Sequence, residues 1–402
     1  MPEPDALIFD AVRTPRGKGS AKGALHGVKP IDLLKPLYDT LRARLPLDRV
    51  GIDDVVLGVS SVTGEQGANL ARISALYAGL GDRVPGITVS RFCCSGLDAV
   101  NLAAAKVTAG ENLVLAGGVE SMSRVSMFAD NGAWFADPVV AERTGFVFTG
   151  VAADIVATME GYARAELDAY AAESHRRAAA AIAAGRFTAS VVPVADAAGK
   201  VLLAVDECVR AGTTAEGLGA LAPAFAAQGS DARARAHLPQ LGEIRHLHHV
   251  GNSPAMADGA ALVAVGSPSL ERAGLRPRGR IMAYANVACD PVIMLTGAAE
   301  ATRRAVAAAG LSLAEIDLFE VQEPFAAPML HYSRALGVAM DRINVNGGTI
   351  ALGHALGATG GVLVGMALDE LARRNGRYAV VAIVGGAGLA VATVIEAIAA
   401  PA

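Results

Sequence analysis

An internal repeat constrains the fold of this 402-residue chain more than any other feature of its sequence. Residues 315–320 resemble residues 52–57, and each run reads as the entry to a buried strand. Residues 376–381 resemble residues 110–115, and both runs lead into a pair of adjacent glycines. The repeat predicts an α/β fold that is built from two similar halves.

Each half carries a polar strand-to-helix turn, which holds Cys93 in the first half and His354 in the second. Two similar halves packed about a pseudo-twofold axis would bring both turns to one site. The unpaired N–H groups and the helix dipole at such a turn favour a thiolate, which is the nucleophilic form of cysteine. Position alone leaves a buried, inert Cys93 as the alternative.

Composition narrows the class of protein. Hydrophobic residues make up 52% of the chain and charged residues 18%, which indicates a large interior and a buried subunit interface. A net charge of −4 gives no reason to expect a nucleic-acid partner. The four cysteines show no disulfide spacing, and residues 1–10 show no signal peptide, so we expect a cytoplasmic protein. The uncharged residues 378–395 are predicted to form two buried strands joined by a glycine turn, without membrane insertion.

Residues 90–97, Ser-Arg-Phe-Cys-Cys-Ser-Gly-Leu, resemble the Asn-Arg-x-Cys-x-Ser-Gly-Leu turn of the thiolases, especially those of β-oxidation. In this register Cys93 is the acyl-accepting cysteine, Cys94 fills a variable position, and Ser90 replaces the usual Asn. Residues 116–123, Ala-Gly-Gly-Val-Glu-Ser-Met-Ser, and the opening Arg-Thr-Pro-x-Gly at 13–17 are also similar to thiolase motifs. The resemblance implies a duplicated five-layer α-β-α-β-α core with an inserted loop domain, and a homodimer or homotetramer.

This resemblance, together with the change of composition along the chain, predicts three segments. Residues 1–123 are expected to form the N-terminal half, and residues 251–402 the C-terminal half. Residues 124–250, with polar loops and Ala-rich helices, correspond to the loop domain that covers CoA in thiolases. Within this segment the spacing predicts a helix over residues 165–184, which places His175 on the helix surface.

The second turn, residues 346–357, is similar to the thiolase motif Asn-Gly-Gly-x-Ile-Ala-x-Gly-His-Pro-x-Gly, with Ala355 in place of Pro. His354 is the natural base for the Cys93 proton at neutral pH, and an imidazolium would also stabilise the thiolate. A purely structural histidine is the alternative.

Other site residues are implied by the resemblance, and several depart from the family pattern. Gln322 stands where an Asn holds a water in the oxyanion hole, and its extra methylene predicts weaker or differently aimed stabilisation. Pro254 replaces the Ser that bonds pantetheine, so that contact is absent unless Ser253 substitutes. Phe325 is expected to pack at the pantetheine tunnel. The remaining candidates are Gly386 as a catalytic residue and Met294 as a substrate-binding residue.

The largest departure is a missing cysteine. Thiolases usually carry a second catalytic cysteine before the last glycine cluster, where Ala382 or Val384 stands in this chain, depending on register. Neither side chain can transfer a proton. Cys289, the last cysteine, is a candidate substitute, although core packing is the more ordinary role for a lone cysteine.

His246, His248 and His249 raise a metal hypothesis, but no Cys or carboxylate at ligand spacing completes a site. We therefore expect no metal and no permanently bound cofactor, with CoA and acyl-CoA as substrates.

Three functions are open at this point. The first is thiolase-type acyl transfer, in which acyl-Cys93 forms, 3-ketoacyl-CoA is cleaved with CoA, and the reverse reaction is a Claisen condensation. The second keeps acyl-Cys93 but uses a different acceptor or a different activation of the donor. The third is a catalytically impaired acyl-CoA-binding partner subunit, against which the intact Cys93 and His354 turns argue.

Overall fold

The computed structural model describes residues 5–398 and contains one large mixed sheet, a small two-stranded sheet and surrounding helices. The strands are β1 (Ala6–Arg13), β2 (Gly17–Lys18), β3 (Asp54–Gly58), β4 (Ile87–Val89), β5 (Leu113–Ser121), β6 (Val194–Ala195), β7 (Val201–Leu203), β8 (Ala257–Gly266), β9 (Gly279–Ala288), β10 (Leu318–Val321), β11 (Tyr378–Val384) and β12 (Leu389–Ala397).

The α-helices range from single turns to 20 residues. They are α1 (Pro30–Arg44), α2 (Leu47–Val50), α3 (Leu70–Tyr77), α4 (Ser95–Thr108), α5 (Ala133–Ala136), α6 (Pro138–Arg143), α7 (Thr149–Glu160), α8 (Arg164–Ala183), α9 (Ala215–Gly219), α10 (Asp231–His237), α11 (Ser269–Arg272), α12 (Gly297–Ala308), α13 (Ala326–Leu336), α14 (Thr349–Leu352) and α15 (Thr359–Arg374).

The large sheet consists of two halves. Its strand order is β10-β11-β12-β9-β1-β8-β5-β3-β4, with β2 paired to β8. Within the sheet, the two halves are hydrogen-bonded to each other only where Ala6–Ile8 of β1 pair with Gly279–Ile281 of β9. By comparison, β5 and β8 of the first half pair over nine residues. In each half a parallel pair, β3 with β5 or β10 with β11, recurs. This duplication confirms the α/β fold that the internal repeat predicted.

Five layers result from the way the helices cover the two halves. Helices α1 and α3 pack on the outer face of the first half, and α12 and α13 on the outer face of the second. Helices α4 and α15 lie between the halves and contact each other. The central layer is therefore buried over most of its length, in agreement with the many small and apolar residues of α4 and α15.

The halves do not divide at residue 250. Strand β8 follows that position in the chain but pairs with β1 and β5, so residues 257–266 lie in the first half of the sheet. The second half begins with β9 at Gly279. Residues 378–395 form the antiparallel pair β11–β12 around a glycine turn, as predicted, and no helix among the described residues is long and apolar enough to cross a membrane.

Helices α4 and α15 touch backbone to backbone, which requires glycine at the contact. A Cβ on Gly96 would lie 2.2 Å from the carbonyl oxygen of Gly357, and one on Gly360 would lie 1.9 Å from the amide nitrogen of Leu97. This close approach holds the Cys93 turn, which precedes α4, against the His354 turn, which precedes α15.

Gly360→Ala is expected to destabilise the protein by at least ~1–3 kcal/mol, because the added methyl group forces the two backbones apart. In a helix without this contact, alanine would be more favourable than glycine by about 1 kcal/mol. Urea unfolding followed by circular dichroism measures the change. Gly27→Ala is the matched control, because a Cβ on Gly27 would have no heavy atom within 4 Å. Equal stability of both variants would contradict the contact.

Candidate active site

Cys93 lies in the turn between β4 and α4, one residue before the helix cap. Phe92, which precedes it, has a φ of 50°, in the left-handed region that a bulky residue rarely adopts. The neighbouring Cys94 is fully buried and donates from its Sγ to the carbonyl oxygen of Ile383 at 3.5 Å. The turn therefore leaves Cys93 as the one of the two thiols that reaches a cavity.

That cavity measures about 490 Å³ and is bounded by both halves of the fold. Six of the predicted site residues line it, and they are Cys93, His354, Gln322, Gly386, Ser253 and Phe325. Much of the remaining wall is apolar, with Met122, Met127, Leu295, Leu356 and Val384 among its members. Thus the turns of the two halves do meet at one site.

Met294 is not brought to this cavity. Its side chain is fully buried in the hydrophobic core of the second half, and its φ is 58°. The reason is the local turn, in which the Asp290 carboxylate accepts from the amides of Val292 and Ile293. Leu295, one residue further on, lines the cavity in its place.

His354 is held by polar contacts on both sides of its ring. Its Nδ1 lies 2.8 Å from Thr359 Oγ1, and its Nε2 lies 3.5 Å from Gln322 Nε2. Since Gln322 Oε1 accepts from the amide of Val384 at 3.4 Å, its Nε2 is the atom that faces His354, and an amide nitrogen can only donate. We therefore assign the ring proton to Nδ1, which leaves a lone pair on Nε2 to accept a proton.

The pKa values of Cys93 and His354 keep both side chains neutral at pH 7. Burial, with a further contribution from the Glu120 carboxylate, raises the pKa of the Cys93 thiol to about 12. Burial and the Arg16 guanidinium lower the pKa of His354 to about 3. The expected thiolate is therefore not the resting form, because loss of solvation outweighs the field of the helix N-terminus.

Two buried carboxylates support the catalytic turns, and the sequence analysis did not identify them. Glu120 accepts from the amides of Ser60, Ser61 and Gly357 at 2.8–3.1 Å, so it joins β5 to the turn that follows His354. Glu120 belongs to the motif 116–123 quoted above, and Glu323 directly follows Gln322 in the chain, but only tertiary structure shows what their oxygens contact.

Glu323, next to Gln322, is the second buried carboxylate, and like Glu120 it accepts hydrogen bonds from separate parts of the chain. It accepts from Tyr170 and Ser174 of α8 and from the amide of Ile350, at 2.8–2.9 Å. A Cβ on Gly348 would lie 2.1 Å from its carboxyl carbon, which explains the second glycine of the His354 motif. Glu323 thus fixes the end of β10, where Gln322 is placed.

Ser253 lines the cavity but uses its hydroxyl proton within its own loop. Its Oγ donates to the carbonyl oxygen of His249 at 2.7 Å. Only the oxygen lone pairs of Ser253 are therefore free to accept from a ligand. The neighbouring Pro254 also lines the cavity and offers neither a hydroxyl nor an N–H group.

The cavity wall shows no replacement for the missing cysteine. Val384 lines the cavity, whereas Ala382 and Cys289 do not. The Cys289 thiol instead lies 3.3 Å from the carbonyl oxygen of Met294, on the far side of the Asp290 turn. Among the described residues of the wall, the titratable side chains are those of Cys93, His354 and Arg210. An arginine stays charged, so only Cys93 and His354 can exchange a proton.

The histidines of the metal hypothesis pair with carboxylates. His246 bridges Asp154 and Asp231, at 2.8 and 3.0 Å, while His248 lies 2.7 Å from Asp154. Over residues 5–398 no cluster of three or more His, Cys, Asp or Glu side chains could hold a metal ion.

His249 and His175 are also engaged within the protein. His249 Nε2 contacts Asp168 at 2.8 Å. His175 is fully buried rather than on the surface of α8, and its Nδ1 accepts from the amide of Arg210 at 3.2 Å. The prediction of a surface position was wrong because the loop that carries Arg210 covers this face of the helix.

A cysteine and a histidine, contributed by the turns of two like halves, lie on the wall of one largely apolar cavity, an arrangement that suits cysteine-dependent acyl transfer. The chain matches the family models "Thiolase, N-terminal domain" over residues 6–237 and "Thiolase, C-terminal domain" over residues 275–397. The chain therefore belongs to the thiolase family, whose members are acyltransferases that use CoA thioesters.

Similar proteins cover almost the whole chain. A β-ketoadipyl-CoA thiolase of Escherichia coli is 38% identical, over 98% of this chain and 99% of that relative. A 3-ketoacyl-CoA thiolase of Cronobacter sakazakii is 39% identical, over 97% and 98% of the two chains. The crystal structure of the Bacillus anthracis acetyl-CoA acetyltransferase is 31% identical and superimposes with a TM-score of 0.85, covering 98% of this chain and 99% of that one.

Proposed function

We propose that the protein is an acyl-CoA C-acyltransferase that works through an acyl-Cys93 thioester. The observation that carries the proposal is the meeting of Cys93 and His354, from two different halves, on the wall of one cavity. In the cleavage direction the sulfur of Cys93 attacks the 3-keto carbon, and Nε2 of His354 accepts the thiol proton. The carbon–carbon bond then breaks, and acetyl-CoA leaves as its carbanion takes the proton back from the His354 imidazolium. CoA finally takes the acyl group from Cys93, and its own thiol proton returns to the Cys93 thiolate by way of His354.

Gln322 is proposed to stabilise the oxyanion of the addition step. Its Nε2 is already directed toward His354 by the Val384 amide that holds its Oε1. The longer side chain thus reaches the imidazole directly, where the family's Asn places a water. The backbone N–H of Gly386 is the candidate donor on the opposite wall, consistent with its position on the cavity.

The acyl group is proposed to be apolar. The wall includes the apolar side chains of Met122, Leu295, Val384 and Phe325, and Arg210 is the one cation among the described residues that line it. The charged side chain of the wall is Arg210, which is exposed and belongs to the region 124–250 that we propose to cover CoA. The β-ketoadipyl group of one relative carries a second carboxylate, for which this wall supplies no partner beyond Arg210.

Thiolysis assays test the proposed function. The loss of the 3-ketoacyl-CoA absorbance would be followed with acetoacetyl-CoA, a longer 3-ketoacyl-CoA and β-ketoadipyl-CoA, each in the presence of CoA. Turnover of the first two, with β-ketoadipyl-CoA the poorest substrate, is the expected result. Absence of CoA-dependent cleavage of all three substrates would contradict the proposal.

A different acceptor remains the second candidate, because the cavity wall holds only two proton-exchanging side chains. Acylation of Cys93 needs one base, whereas cleavage to acetyl-CoA also needs an acid for the carbanion. Acyl-Cys93 that forms readily but transfers faster to an alternative thiol or amine than to CoA would favour this second function.

Self-association in the cytoplasm is proposed on separate observations. Helix α3 and the edge strand β4 expose large apolar side chains, which include Ile73, Tyr77 and Ile87. An uncovered strand edge beside such a patch suits burial against a second copy of the chain, as a homodimer or a homotetramer. The four cysteines are free, which fits a reducing compartment. Sedimentation velocity would measure the oligomeric state.

His354→Asn is expected to change how alkylation of Cys93 depends on pH. In the wild type, neutral His354 assists a neutral thiol at every pH between their pKa values of about 3 and about 12, so the rate stays flat between about pH 5 and about pH 9. In the variant only the thiolate reacts, so the rate rises about tenfold per pH unit and is lower at neutrality. Iodoacetamide kinetics measure both profiles, and circular dichroism checks the fold. Identical profiles would exclude this role for His354.

A further inference from the structure

Trp134, the single tryptophan of the chain, lies directly behind the catalytic wall. A Cβ on Gly386 would be 3.0 Å and 3.1 Å from two atoms of the indole ring. The ring also packs against Phe92 at an interplanar angle of 39°, with their centroids 5.2 Å apart. Since Phe92 precedes Cys93 and Gly386 lines the cavity, the indole packs against both the Cys93 turn and the cavity wall. It belongs to α5, in the region between the two halves.

Aromatic rings support Trp134 from behind. Phe146 meets it edge to face at 4.9 Å, and Phe148 meets Phe146 at 5.0 Å. Thr149 and Gly150, which follow Phe148 at the start of α7, line the cavity. Packed rings of this kind do not yield easily to an inserted group, because interiors are dense and overpacking is unfavourable. The cavity therefore ends, on the Gly386 side, at a stiff aromatic layer.

We propose that Trp134 is a specificity-determining residue, whose indole limits the length of the apolar acyl group that Cys93 accepts. The proposal rests on the proposed acyl-Cys93 chemistry. An acyl chain on Cys93 extends along a wall whose Gly386 has no side chain, so the first bulky group behind that wall is the indole. A shorter residue at position 134 would let the acyl chain pass beyond Gly386.

A structural role is the competing explanation. Phe92 holds a left-handed backbone conformation, and packing against Trp134 helps to maintain it. If this were the whole role, loss of the indole would displace Cys93 and slow acylation by every acyl-CoA alike. The two roles therefore differ in the ratio of rates for long and short acyl groups.

The test measures the acylation rate of Cys93 with acetyl-, butanoyl-, hexanoyl- and octanoyl-CoA, by quenched-flow and intact-protein mass spectrometry. Wild type, Trp134→Ala, Trp134→Phe and Phe135→Ala are compared. Trp134→Phe removes no hydrogen bond to another described residue, because the buried indole N–H has no such partner. Phe135 shares α5 but packs against Phe128 at 4.5 Å, so its variant controls for general loosening of that helix.

Trp134→Ala is expected to raise the octanoyl-to-acetyl rate ratio at least ~10-fold, since a methylene more or less in an apolar pocket is worth that much. Trp134→Phe should raise it less, and Phe135→Ala should leave the ratio as in the wild type. An unchanged ratio in Trp134→Ala overturns the proposal while acyl-Cys93 stands. Absence of any adduct in all four proteins overturns the proposed function and this inference together.

Fluorescence of the wild type keeps the proposal testable if Trp134→Ala does not fold. Trp134 is the sole indole, so its emission reports on this position alone. The emission should shift progressively from the acetyl- to the butanoyl- and hexanoyl-enzyme, and Cys93→Ala mixed with the same acyl-CoAs should show no such progression. Equal emission for all acyl-enzymes would overturn the proposal.

Discussion

Cys93→Ala is expected to lower thiolysis of acetoacetyl-CoA by at least ~10⁴-fold, a loss of the order seen when a covalent nucleophile is removed. Of the four cysteines, only Cys93 lies on the cavity wall, so no other thiol can accept the acyl group. The matched control is Cys94→Ala, which removes a fully buried sulfur that donates to a strand carbonyl. This control is expected to lower the melting temperature and to keep thioester formation.

Residual thiolysis in Cys93→Ala within tenfold of the wild type would contradict the assignment of the nucleophile. The same would follow if Cys94→Ala alone abolished the acyl-enzyme while its fold was retained. Steady-state absorbance assays and intact-mass spectra of both variants separate these outcomes.

Val384→Cys is expected to raise thiolysis of 3-ketoacyl-CoA by ~10²–10⁴-fold, which is the usual contribution of a positioned acid or base. Val384 lines the cavity next to Gln322, and its side chain cannot supply a proton to the carbanion of acetyl-CoA. A cysteine there adds a proton-exchanging thiol to the cavity wall beside Gln322. Single-turnover acylation should change little, because that step already has His354.

Two variants serve as controls for this prediction. Ala382→Cys places a thiol on the same strand, at a fully buried position that does not line the cavity, and should give a smaller gain. Cys289→Ala should leave wild-type thiolysis unchanged, since the Cys289 thiol faces the Met294 carbonyl. Wild-type turnover within the ordinary enzyme range of ~1–10³ s⁻¹ would show that no further acid is needed.

The sequence predicted the fold because its evidence is local and repeated. The buried strands can be recognised as apolar runs in the sequence. The recurrence of residues 52–57 at 315–320 implies that both halves form the same arrangement of strands and helices. Cys93 and His354 could be brought together for the same reason, although only the Cys93 turn follows a strand, β4, whereas the His354 turn follows the short helix α14. The placement of β8 in the first half could not be predicted in this way, because strand order depends on pairing across the chain.

Side chains whose role depends on distant partners were predicted less well. Met294 was expected at the substrate, but the Asp290 turn rotates it into the core. The thiolate of Cys93 was expected from its place at a helix start, yet burial raises its pKa. Glu323 was not identified, because its role depends on hydrogen bonds from residues of α8 and α14. Burial and tertiary contact decide all three cases, and neither is visible in local spacing.

The central claim is that the acyl group passes through Cys93, and peptide mass spectrometry tests it most directly. The full-length wild type would be incubated with acetyl-CoA, quenched in acid and digested, and the peptide that contains Cys93 and Cys94 would be fragmented. We predict a mass increase of one acetyl group on Cys93, which disappears when CoA is added before the quench. Acetyl found only on Cys94, or retained in full by Cys93→Ala, would contradict the claim.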